Sequence, residues 1–161
     1  MLSLLWLTVF ASVLPAQTDP RVAQAAALLK PASLQVPKGE GAWTVRVMQG
    51  GVLAGQSSDV AVTSVGELTC LPESEGRCSK VNSGEVLQSV TALMDPKLLR
   101  NSKSALGDSC RDCPITSITI GRRDEKGKID TYFAYWDDVT AAKAPFQLVR
   151  IATTLLASVK K

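Results

Sequence analysis

Two blocks of period-two hydrophobicity, split by a stretch of helical periodicity, constrain this chain more than any other feature. Trp43, Val45 and Val47 alternate with Thr44, Arg46 and Met48, which places the apolar residues on one face of an extended strand. Gly50-Gly51 ends it, a glycine-bracketed loop follows, and residues 58–64 predict a second strand with Val60 and Val62 on one face. Val65-Gly66-Glu67 reads as a turn into a short third strand over residues 68–71. In the second block, Ile118 and Ile120 mark a strand over 115–121, Asp124-Glu125-Lys126-Gly127 a hairpin turn, and residues 129–136 the return.

Between the blocks, Val86, Leu87, Val90, Leu93 and Met94 recur at helical spacing, and Asn82 with Glu85 forms a capping-box pair. The spacing predicts an amphipathic helix over 83–94. Asp95-Pro96 interrupts it and starts a further helical turn through Arg100, before a polar stretch over 101–109. Pro145 opens a final helix whose stripe is Leu148, Ile151, Ala152, Leu155 and Val159, with Lys160-Lys161 at its negative end. Strand pairs interleaved with helices predict an α+β fold rather than a parallel doubly wound sheet. The expectation is an antiparallel sheet of four to five strands, in the order hairpin, helix, hairpin, helix, with the helices on one face.

The N-terminus is different in kind. Residues 1–18 carry no charged side chain, and residues 2–14 are mostly apolar, too short a run for a hydrocarbon core about 30 Å thick but suited to a signal-peptide h-region. Pro15-Ala16 then breaks the run and offers a small residue for cleavage. Residues 1–16 are therefore read as a signal peptide, which places the mature chain in the secreted, periplasmic or cell-envelope space. No membrane association is expected after cleavage. Asp19-Pro20 starts a short helix that Pro31 stops, and Pro31, Pro37, Gly39 and Gly41 make residues 31–41 a linker. The reading is thus 17–41 as short helix and linker, and 42–161 as a single α+β domain.

Composition narrows function mainly by exclusion. The 161 residues include no histidine, which removes every His-based triad, general base and metal site. A net charge of +3, with Arg122, Arg123, Lys126 and Lys128 surrounding Asp124 and Glu125, reads as a solvated turn and not as a nucleic-acid surface. Asp137-Asp138 near Asp130 lacks the glycine-spaced pattern of a calcium loop and reads as a solvated strand end. Ser57, Ser58 and Ser64 have no Ser-x-x-Lys partner, so no nucleophile emerges. Tyr132, Phe133, Tyr135 and Trp136 put aromatics on both faces of one strand, one to cover the helices, the other open to a partner or to the N-terminal helix.

Four cysteines in an exported chain read first as two disulfides, with three pairings open. Cys70 and Cys78 flank the region before the helix, whereas Cys110 and Cys113 lie together before the next strand, which favours Cys70–Cys78 and Cys110–Cys113. A Cys-x-x-Cys redox centre wants its thiolate at a helix N-terminus, yet Pro114 and a strand follow Cys113. Four-thiolate zinc is disfavoured by the wide gap between Cys70 and Cys78. No enzyme, metal or cofactor is expected.

The order of these marks resembles the emfourin-like family, small protein inhibitors of thermolysin-type metallopeptidases. Trp43-Thr-Val-Arg-Val-Met-Gln-Gly50-Gly51-Val-Leu-Ala-Gly55 is similar to that family's opening strand and glycine loop. The pattern continues through the helix at 86–94, the strands carrying Ile118-Thr-Ile and Tyr132-Phe-Ala-Tyr-Trp136, and Pro145-Phe-Gln-Leu148, over residues 43–157. The signal segment, the N-terminal helix and the four cysteines depart from it. The resemblance implies a binding domain that docks the loop Gly50, Gly51, Val52, Leu53, Ala54 and Gly55 on a metallopeptidase, with Val52 and Leu53 filling an apolar subsite. Two other readings compete: a structural or assembly component of the envelope, and a thiol–disulfide redox protein using Cys110 and Cys113.

Overall fold

The computed structural model describes residues 27–50, 57–71, 83–94 and 113–159. Five strands form one antiparallel sheet: β1 (Trp43–Gly50), β2 (Ser58–Thr63), β3 (Leu68–Leu71), β4 (Ile115–Arg123) and β5 (Ile129–Asp137), in spatial order β3-β2-β1-β4-β5. Helix α1 (Ser83–Leu93) falls between β3 and β4, and α2 (Phe146–Val159) follows β5. The α+β expectation holds. The third strand read over residues 68–71 is present, and the turn at Gly66 returns it along β2, so the first block is a three-strand meander.

The register explains the core. Val60, Val47, Ile118 and Ala134 stand level across β2, β1, β4 and β5, with Val62, Val45, Ile120 and Tyr132 in the next row. All eight are buried, and Leu148, Ile151, Ala152 and Leu155 of α2 and Val86 and Val90 of α1 close over them. Helix α2 packs on α1 and lies across β2, β1 and β4. Pro145 supplies the carbonyl that accepts the amides of Leu148 and Val149, at 2.9 and 3.2 Å, so the helix begins where the proline ring has already fixed φ.

The β4–β5 turn follows its chemistry. The Asp124 carboxylate accepts from the amides of Lys126 and Lys128 at 2.9 and 2.8 Å, and Gly127 takes φ +78, a conformation that costs a side chain more than a glycine. Arg123 departs from the solvated reading of this turn. Its guanidinium reaches back to the carbonyls of Val36, Pro37 and Gly127 at 3.1, 3.0 and 2.7 Å.

Those contacts overturn the reading of residues 31–41 as a linker. Ala32, Leu34 and Val36 turn toward the sheet face opposite the helices, while Pro31, Ser33 and Gln35 face water. The segment runs antiparallel to β1. Leu28 lies against Gly50, the Ser33 carbonyl accepts from Arg46 at 3.3 Å, the Gln35 carbonyl accepts from Thr44 at 2.7 Å, and the chain then turns back at Gly39 and Gly41 into β1. The Ala32 amide donates to Thr119 Oγ1 at 3.0 Å. Residues 28–37 are thus a strap that belongs to the domain. Gly121 makes its close approach possible: a Cβ there would fall 2.9 Å from Val36 Cγ2 and 3.0 Å from Leu34 Cδ1.

The residues read as a signal peptide, most of those read as an N-terminal helix, Asn82 of the expected capping box, the residues beyond Asp95 expected to form a further helical turn, and the terminal lysines all lie outside the described residues. Among the described residues, no helix is long and apolar enough to cross a membrane.

Candidate functional site

The β1–β2 connection is the site that the sequence singled out. Its tip, Gly51, Val52, Leu53, Ala54 and Gly55, lies outside the described residues, but its base is defined. Gln49 pairs with Ser58 at the last register position of the two strands, and Gln49 Nε2 donates to Thr116 Oγ1 of the next strand at 3.1 Å. Gly50 is a strand residue, paired with Ile115 and buried, with no positive φ; it therefore belongs to the platform and not to the loop. A Cβ on Gly50 would sit 3.5 Å from Leu28 Cδ1 and 3.6 Å from Ser57 Cβ, an ordinary packing distance. The strap thus braces the base of the loop from the outer face while Gln49 ties it to β4.

One ion pair stiffens the same platform. Arg46 on β1 grips Asp59 on β2 through two bonds, Nε to Oδ1 at 2.8 Å and Nη2 to Oδ2 at 2.6 Å. The hydrogen bond to Asp59 outweighs burial and holds the guanidinium pKa above its ordinary value, so the residue keeps its charge at any working pH. The same side chain holds the strap through Ser33, which makes Arg46 the joint between loop base and strap.

The cysteines occupy two ends of the sheet. Cys70 is buried in β3, and Cys113 lies just before β4; neither is a free thiol. They cannot be each other's partner. Cys70 stands level with Val60, Val47 and Ile118, so three strand spacings put it about 14 Å from β4, whereas a disulfide needs Cα atoms within about 7 Å. Of the three pairings that the sequence leaves open, the one that joins Cys70 to Cys113 is excluded. Cys78 and Cys110 lie outside the described residues.

Asp137 corrects the reading of a solvated strand end. It is 1% exposed, and its Oδ1 accepts from the amide and hydroxyl of Thr140 at 2.7 and 2.8 Å, while its own amide donates to Thr140 Oγ1 at 3.0 Å. The closed Asp-x-x-Thr exchange ends β5 and turns the chain toward α2; only Asp138 and Asp130 remain exposed. The aromatic strand divides as its alternation requires. Tyr132 and Trp136 enter the core, whereas Phe133 and Tyr135 lie on the strap side, half-buried, with ring centroids 5.8 Å apart.

Sequence reasoning missed the strap, the Arg46 joint and the Asp137–Thr140 closure. The first had a readable signal: Ala32, Leu34 and Val36 alternate with polar neighbours, but Pro31 and Pro37 at either end drew the eye to loop chemistry. Among the described residues no group of acidic or cysteine side chains is placed to hold a metal ion. No protein-family model, curated protein or solved structure matches this chain.

Proposed function

We propose that the chain is an exported, non-catalytic protein-binding domain whose β1–β2 loop docks in the cleft of a metallopeptidase of the thermolysin type. The observation that supports this most is the base of the loop. Gln49 and Ser58 hold its two ends in register, Leu28 packs beneath Gly50, and Arg46–Asp59 locks the strands one step below. Such a base fixes the two ends of the loop before any partner arrives, so their ordering adds nothing to the cost of binding. Gly51 and Gly55 would let the backbone approach the partner closely, with Val52 and Leu53 entering an apolar subsite. The oxidised state of Cys70 and Cys113 is in keeping with an oxidising compartment, secreted or periplasmic, reached after cleavage of residues 1–16. We favour the Cys70–Cys78 and Cys110–Cys113 pairing, which staples each end of the segment carrying α1.

The redox alternative has less support. Cys113 leads into a strand, so among the described residues no helix begins at Cys113 to favour a thiolate. The test is a titration of the protein against a panel of secreted thermolysin-type peptidases. Stoichiometric inhibition is expected from at least one member, weakened about a hundredfold or more by Leu53→Asp, since an unpaired charge would have to enter an apolar subsite. No inhibition by about 10 μM protein would count against the proposal.

A further inference from the structure

The two edges of the sheet differ sharply. At one edge β3 spans only Leu68–Leu71, whereas at the other β5 runs unbroken over Ile129–Asp137 with no proline. The backbone groups on its free side can be assigned. Arg123 donates to the Ala42 carbonyl and accepts from the Gly41 amide, so its amide and carbonyl face the β1 side. Alternation along an antiparallel strand then turns Arg122, Ile120, Ile118 and Thr116 toward Asp130, Tyr132, Ala134 and Trp136 of β5. The N–H and C=O of Thr131, Phe133 and Tyr135 therefore point away from the sheet. Asp137 points the same way, but Thr140 Oγ1 takes its amide. No described residue pairs with this edge.

We infer that β5 is a self-pairing edge: two copies of the chain join β5 to β5, antiparallel about a two-fold axis through Phe133. Charge selects this register. Centred on Phe133, the pairing sets Lys128 of one copy opposite Asp138 of the other, twice by symmetry, and both side chains are exposed. Centred one residue later, on Ala134, it sets Asp130 opposite Asp138, a like-charge contact on each side. Centred on Tyr132, it places Lys128 and Asp130 opposite Trp136 and Ala134, so neither gains an ionic partner across the join and each keeps only the other, 3.2 Å away on its own strand. In the chosen register Phe133 exchanges both backbone bonds with its own copy and Thr131 exchanges them with Tyr135. The ladder stops where Thr140 has already claimed the Asp137 amide. On the strap side the half-buried ring of Phe133 meets its own copy, and Tyr135 lies over Thr131 of the other copy and diagonal to its Phe133, adding aromatic contact to the ladder. Gln49 and Ser58 at the loop base lie two and three strands in from this edge, so the join leaves the base uncovered in both copies, at opposite ends of a continuous sheet.

An interface this small belongs with the weak ones, and a dissociation constant of about 10–100 μM is expected. Sedimentation equilibrium of the purified full chain in low-salt buffer reads it directly. Lys128→Asp and Asp138→Lys should each weaken self-association about tenfold, and the double exchange should restore it to within about threefold. All these side chains are exposed, so loss of folding does not confuse the result. The Phe133 amide should also exchange hydrogen more slowly as protein concentration rises. A chain that remains monomeric to about 0.5 mM overturns the inference, as does a dimer indifferent to both single reversals.

Discussion

The two faces of the sheet are covered by different physics. On the helix side Val45, Val47, Val60, Val62, Ile118 and Ile120 are fully buried beneath α1 and α2, and what holds the layers together is non-directional removal of apolar surface from water. On the strap side the sheet presents Thr44, Arg46, Ser117 and Thr119, and residues 28–37 fasten there through named hydrogen bonds. The first face tolerates exchange of one apolar side chain for another of similar volume. The second depends on individual atoms, so its losses should be smaller and more specific. The comparison teaches that half of this domain is built by pattern and half by address.

Four substitutions break or sharpen that contrast. Ile118→Ala opens a cavity in the middle of the core row and should destabilise by about 2–5 kcal/mol in urea denaturation, because the packed helices cannot collapse into the space. Gly121→Ala attacks the other face. The added methyl would meet Val36 at 2.9 Å and Leu34 at 3.0 Å, so a loss of about 1–3 kcal/mol is expected, together with faster proteolytic cutting within residues 30–40. Thr119→Val keeps shape but removes the oxygen that receives the Ala32 amide, and about 1 kcal/mol should follow, with core proton chemical shifts unchanged. Ser117→Ala is the control. Its hydroxyl is buried on the same face without a hydrogen-bond partner, so its removal should leave stability unchanged or raise it by up to about 1 kcal/mol. If Thr119→Val and Ser117→Ala behaved alike, the claim that this face works by particular bonds would fail.

The same division decides what could be read from the amino acids. Alternation at Val45-x-Val47, Val60-x-Val62 and Ile118-x-Ile120 repeats along each strand, and the stripe of α2 repeats along the helix, so periodicity was enough to find the core and both helices. The strap has no such redundancy. Its bonds to Thr44, Arg46, Thr119 and Arg123 link residues remote in sequence, and nothing local in Pro31 or Gln35 announces a partner across the sheet. Asp137 shows the same limit from another side. An acidic pair at a strand end reads as solvated until the exchange with Thr140 is seen to close it. Of the candidate site, the loop's glycines were visible in the sequence, but the reason its base is stiff was not, because that lies in Leu28 and the Arg46 joint.

Hydrogen exchange at one amide tests the account most directly. The Ala32 N–H, which donates to Thr119, should exchange at least about a hundredfold more slowly than in an unstructured chain, and Thr119→Val should abolish most of that protection. Exchange at the unstructured rate in the intact protein would mean that residues 28–37 do not close the outer face, and the braced platform beneath the loop would go with them.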